Sequence, residues 1–169
     1  MSRALSAATL AFAAAALTVA ALPLTAHAGA EHRSAGKFGL GLGGGTNTGG
    51  ISAKMFLSDA SAIQAVVGAY GNWENGTGLG LNADYLYEMP AIADVEAVEI
   101  AWNLGAGAGL GGNSKSNALS VGVSGVAGLE FAFKPVPLDL VIEYRPTLHV
   151  VPKVELGLVN FTGHLRWFF

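Results

Sequence analysis

The 169-residue chain contains no cysteine. That excludes a disulfide framework, a thiolate metal site and a cysteine nucleophile. Charge is also scarce: Asp, Glu, Lys and Arg make up 12% of the chain, about half of the usual ~25% share. Nine basic against twelve acidic residues give a net charge of −3, which is not the clustered positive charge of a nucleic-acid binder. With 51% hydrophobic residues, the chain is too apolar for disorder and too poor in charge to coat a water-soluble domain of this size. Glycine is missing from the first 28 residues; all 24 glycines lie beyond them. An interior glycine costs a helix roughly 1 kcal/mol against alanine, so the glycine-rich remainder is not helical. Long hydrophobic runs are missing there too. A membrane-spanning helix needs about 18 or more unbroken apolar residues. The richest stretch, Ile100 to Leu110, is interrupted by Asn103, Gly105, Gly107 and Gly109.

The first 28 residues read differently. Arg3 supplies a short positive start, Leu5 to Leu22 is an uncharged Ala/Leu/Val/Phe run, and Pro23 breaks it. Ala26-His27-Ala28 places small residues at the positions a signal peptidase requires, so 1–28 is expected to be a cleaved secretory signal peptide. An uncleaved N-terminal anchor is the weaker alternative, because the small-x-small site sits where cleavage needs it. No cysteine follows that site, so lipid attachment there is excluded. The mature chain is expected to begin at Gly29 with a short tail, 29–35, before one domain over 36–169.

That domain shows period-two alternation. Leu79, Leu81, Ala83, Tyr85 and Tyr87 alternate with Gly80, Asn82, Asp84 and Leu86. Leu138, Leu140, Ile142 and Tyr144 alternate with Asp139, Val141, Glu143 and Arg145. Such alternation indicates strands with one apolar and one polar or small face. Turn signals cut the chain into eight segments, at about 36–45, 50–58, 61–73, 78–88, 97–110, 118–133, 138–146 and 156–169. The expected fold is all-β: an eight-stranded antiparallel up-and-down transmembrane barrel, eight being the smallest even number seen in such barrels. The large apolar face is expected outward. An eight-stranded interior is only just wide enough for side chains, and the opposite face is rich in Gly, Ser and Asn. Phe38, Trp73, Tyr85, Tyr87, Phe131, Phe133, Trp167 and Phe169 fall near strand ends, where a membrane interface favours aromatic rings. A soluble exported barrel is the alternative, and it lacks the charges to cover its outside.

The chain ends Phe161-Thr162-Gly163-His164-Leu165-Arg166-Trp167-Phe168-Phe169. Phe161, Gly163, Leu165, Trp167 and Phe169 form the alternate set that closes on a terminal phenylalanine. This resembles the C-terminal assembly signal of bacterial outer-membrane barrels. The whole of 36–169 resembles small eight-stranded outer-membrane proteins, the architecture of the OmpA membrane domain and OmpX. The resemblance implies location in the bacterial outer membrane of a Gram-negative cell, contact with outer-membrane lipid, a monomer, and recognition by the barrel-assembly machinery through the last strand. A last strand with an apolar face and an open backbone edge suits such pairing. The Met89 to Glu96 connection is longer than the turns usual on that side of the family.

Alternation places Lys54, Asp84, Glu130, Glu143, Arg145, His164 and Arg166 on the inner face. In so narrow a lumen they must pair, because an isolated buried charge costs several kcal/mol. Adjacent last strands suggest Glu143 and Arg145 beside His164 and Arg166, with Glu130 reaching Arg145. A structural ion-pair plug is the expected role, and a polar gate in a narrow small-solute channel is the alternative. A lipid-modifying enzyme built on Ser124, His164 and Glu143 is less favoured, since no nucleophile motif surrounds a serine. The G-x-G-x-x-G matches at Gly39–Gly44 and Gly107–Gly112 open no helix and are read as lumen glycine, not a nucleotide loop. His32, His149 and His164 are scattered, so no metal or other cofactor is expected. The resulting expectation is a non-enzymatic envelope protein with a structural or surface-interaction role and no nucleic-acid partner.

Overall fold

A computed structural model of the chain describes residues 30–46, 48–72, 76–113 and 118–169. The expected leader, Gly29, Trp73 and the turn residues 74–75 and 114–117 lie outside these. Among the described residues there are eleven strands: β1 Phe38–Gly45, β2 Thr48–Ser58, β3 Ser61–Asn72, β4 Gly76–Glu88, β5 Ala93–Asp94, β6 Val98–Asn113, β7 Ala118–Phe133, β8 Leu138–Tyr144, β9 Thr147–Val151, β10 Glu155–Gly157 and β11 Phe161–Phe168. They form a closed, eight-stranded antiparallel barrel. The staves follow chain order from β1 through β4, β6 and β7 to β8 and β11, and β11 pairs back onto β1 from Gly39↔Phe168 to Gly45↔Thr162. No described helix is long and apolar enough to cross a membrane.

Two strands differ from the sequence expectation for local reasons. The segment expected at 138–146 breaks at Pro146, which has no N–H to give to the ladder. Its carbonyl still accepts from the Gly125 amide at 3.0 Å. The chain then rejoins β7 as β9, with Thr147 opposite Ser124. The segment expected at 156–169 begins as the short β10, which folds back on β9 before β11 starts. The long Met89 to Glu96 connection is itself structured: β5 lies against Ile100 and Glu99 at the start of β6.

The barrel is inside-out relative to a water-soluble one. Leu42 on β1 and Leu79 on β4 are 68% and 78% exposed on the outside, whereas Lys54 is 0% and Arg166 is 1% exposed within. Among the described residues, Phe56, Ala62, Leu86, Val126 and Phe168 form an apolar cluster inside. The register explains the glycine content. Bulky inward residues face glycine across the ladder: Phe168 faces Gly39 and His164 faces Gly43. In the same way Asp84 faces Gly107 and Asn103 faces Gly128. Eight strands enclose little space, so at these positions the missing side chain opposite makes room for the large one.

The N-terminal tail closes one end. Gly36, at φ 85°, makes the turn from tail to β1, a conformation that glycine adopts without strain. The Gly36 amide donates to the Phe56 carbonyl at 2.9 Å. Ala30 and His32 are buried, and the His32 ring lies 5.2 Å from that of Phe168.

Candidate functional site

The described interior holds six buried carboxylates, Asp84, Glu88, Glu99, Glu130, Asp139 and Glu143. Four cations meet them in three groups. At the tail end, Lys54 Nζ lies 2.8 Å from Glu88 and 2.5 Å from Glu130. Arg33 enters from the tail and contacts Glu88 at 3.2 Å, Glu130 at 3.2 Å, and Glu99. In the middle, Arg166 grips Asp139 through Nε at 3.1 Å and Nη2 at 2.8 Å. Nearer the far end, Arg145 forks onto Asp84 at 2.6 and 2.9 Å and reaches Glu143 at 3.0 Å.

Gln64 joins the last two groups. Its Oε1 accepts from Arg166 at 2.9 Å, and its Nε2 donates to Asp84 at 3.1 Å and Glu143 at 2.7 Å. An amide suits this position because it offers an acceptor to the guanidinium and donors to the carboxylates at once. Satisfied networks of this kind stiffen a low-dielectric interior.

All seven inner-face residues named from the alternation, Lys54, Asp84, Glu130, Glu143, Arg145, His164 and Arg166, are buried. Of the partners suggested by strand adjacency, Glu143 does meet His164, at 3.2 Å, while the others differ. Glu130 pairs with Lys54 and Arg33, not Arg145, and Arg166 pairs with Asp139. Arg33, Gln64, Glu88, Glu99 and Asp139 were not singled out from sequence. Four of them lie in phase with the inner face, whereas Arg33 sits in a tail with no period to read.

His164 stands between Ser52 and Glu143. Its Nδ1 is 3.0 Å from Ser52 Oγ, and its Nε2 is 3.2 Å from Glu143 Oε2. Ser124 is elsewhere, with its hydroxyl 2.9 Å from that of Thr147. The Ser52–His164–Glu143 row has the order of a hydrolase triad. Ser52 and Glu143 are both 0% exposed, so no acyl substrate reaches the hydroxyl in this closed form. Among the described residues no three His, Asp or Glu side chains converge as a metal site would need.

Above Arg145, the loop end of the lumen opens into a polar vestibule. Thr48, Asn82, Ser124, Thr147 and His149 line it, and its water-accessible volume is about 40 Å³. That is room for a few ordered waters.

Burial opposes the charge on both tail groups, but their net shifts are opposite. It pushes the His32 imidazole below its ordinary value, against the pull of Glu130 and Asp139. Burial also opposes the charge on Arg33, but Glu130, Glu88 and Glu99 outweigh it and hold its pKa above the ordinary value.

The network also sets a glycine requirement. A methyl at Gly107 would overlap the Asp84 carboxylate, whereas Gly112 on the same strand has open space. Gly107→Val should therefore displace Asp84 from Arg145 and destabilise the barrel by about 1–3 kcal/mol, the usual range for overpacking. Gly112→Val should leave stability unchanged. Urea unfolding of the two variants provides the comparison.

No protein-family model, no curated protein and no solved structure matches this chain.

Proposed function

We propose that the protein is an integral outer-membrane barrel of a Gram-negative-type envelope, with a structural or surface-contact role and no catalytic activity. The inverted distribution of residues carries this reading: large apolar side chains outside, charge inside. Lipid favours that arrangement, since strands of such barrels alternate apolar-out and polar-in. Strands β2, β3, β4, β6 and β7 have 11 to 16 residues, against the roughly 9–11 needed to cross at a tilt. Trp102, Trp167 and Phe169 are exposed towards the tail end. Tyr144 and Phe161 form an outer pair with ring centroids 5.5 Å apart. These are the residue types that membrane interfaces favour. Outer-membrane lipid would surround the barrel, and the last strand would be the handle for the assembly machinery.

A small-solute channel is the rival reading. It needs a continuous aqueous path, and the lumen is occupied by Lys54, Glu130, Arg166 and Glu143, each at most 1% exposed. Expressed with its leader, the protein should fractionate with the outer membrane and run faster on gels unheated than boiled. In planar bilayers it should give no steady conductance. Recovery as a soluble periplasmic protein would overturn the membrane reading, and stable unitary currents would favour the channel.

A further inference from the structure

Residues 30–35 cover the tail-end mouth, and Gly36 joins them to the wall. Gly36 takes the left-handed conformation, φ 85°, with open space where a side chain would stand. After it, Lys37 is tied to the barrel, its carbonyl accepting from the Phe56 amide at 3.0 Å. Before it, the segment is held by Arg33 on Glu88, Glu99 and Glu130. The Ala35 amide adds a bond to Asp59 at 3.2 Å.

His32 is a costly residue to place under such a cover. It is 5% exposed, its ring centroid lies 5.2 Å from that of Phe168, and its Nε2 has no hydrogen-bond partner among the described residues. An apolar ring would fill the same place without burying an unpaired polar atom. The charged groups around it are Glu99 of β6, Glu130 of β7, Asp139 of β8 and its neighbour Arg33. Burial pushes the imidazole below its ordinary value; Glu130, Asp139 and Glu99 oppose that, and Arg33 adds to it.

We propose that residues 30–35 form a proton-sensitive lid on the tail-end mouth, with His32 as its sensor and Gly36 as its hinge. In the closed lid His32 is a neutral imidazole. Protonating it in place would set a second cation beside Arg33 and leave a buried N–H donor without an acceptor, so proton uptake favours the open lid. Opening takes Arg33 away from its three carboxylates and leaves Lys54 alone against Glu88 and Glu130. None of this depends on the solvent outside the barrel, so it stands apart from the outer-membrane reading. A free tail takes up its proton near the ordinary histidine value, ~6.5, whereas the closed lid does so only at lower pH. Closure is therefore at full strength above that value and weakens as pH falls through the window below it. Each pH unit in the window shifts the closing equilibrium by up to about tenfold.

The test uses the whole protein, expressed with its own leader and purified in folded form. Hydrogen exchange is read by mass spectrometry on the peptide covering 30–37 and divided by the rate of the free peptide at the same pH. That ratio reports opening of the lid. Wild-type protection should be severalfold lower at about pH 5.5 than at about pH 7.5, with a limit of about tenfold for one histidine. Protection of the β4 and β6 amides should not change. His32→Phe, and likewise His32→Gln, should protect the segment equally at both pH values. Equal wild-type protection at both would overturn the inference. A parallel fall in β4 and β6 would do the same, since the whole barrel would then be opening. A fall that persists in both variants would assign the effect to Glu88, Glu99 and Glu130 instead. If neither variant protects the segment at about pH 7.5, His32 is a packing residue and the sensor role fails.

Discussion

Arg166→Met should destabilise the barrel by about 3–5 kcal/mol, the range for removing one partner of a buried ion pair. Arg166 is 1% exposed, and it is the cation that pairs with Asp139, itself 0% exposed. Methionine fills similar volume, so the loss isolates charge from packing. It leaves a buried carboxylate without its cation and Gln64 Oε1 without the Arg166 donor. The double variant Arg166→Met, Asp139→Leu should recover most of the loss, because well-packed apolar replacement of a buried pair is often neutral or stabilising. Urea midpoints of the two single variants and the double variant form the cycle that isolates the pairwise energy. Additive effects would mean that the two side chains do not depend on each other.

The same logic ranks Glu143→Ala below Arg166→Met. Arg145 would keep its two-pronged contact with Asp84, and the loss would fall on the Glu143 contacts with His164 and Gln64. The cation that remains paired separates this substitution from Arg166→Met, which leaves Asp139 without its guanidinium.

The sequence revealed which face each residue occupies because alternation has period two and survives wherever the strand is regular. Asp84, Glu143 and Arg166 follow it without exception. Alternation does not reveal partners. Lys54 on β2 meets Glu130 on β7, and Asp84 on β4 meets Arg145 beyond β8. Both pairs cross the lumen between staves that are not neighbours. Stagger around the closed sheet decides which levels face each other, and no local pattern records it. Arg33 was hidden for another reason: it lies outside every strand, and its burial depends on the tail folding into the mouth. The break at Pro146 occurs where backbone pairing fails while Arg145 and Thr147 keep the inward phase, and between β10 and β11 the phase itself slips, since the consecutive Leu158 and Val159 are both exposed. The eight staves were therefore legible, but the interruptions within the last two were not.

The two terminal phenylalanines should fail in different ways. Phe168 points inward at 2% exposure, with its ring 5.8 Å from that of Phe56. Phe168→Ala should cost about 3–5 kcal/mol of stability, as for other buried phenylalanines. Phe169 points outward at 71% exposure, and its amide donates to the Phe38 carbonyl at 2.9 Å. Phe169→Lys keeps that backbone bond. On the proposed membrane reading, a lysine on this outer face near an interface costs only about 0–1 kcal/mol. Assembled Phe169→Lys barrels should therefore unfold like wild type. If the terminal residue is read during assembly, the yield of folded barrel in cells should nevertheless fall severalfold for Phe169→Lys and less for Phe168→Ala. Refolding purified chains into lipid vesicles without assembly factors should reverse the order, with Phe169→Lys folding normally and Phe168→Ala poorly. Matching yields of the two variants in cells would remove recognition from the last residue and leave packing as the only role of this strand end.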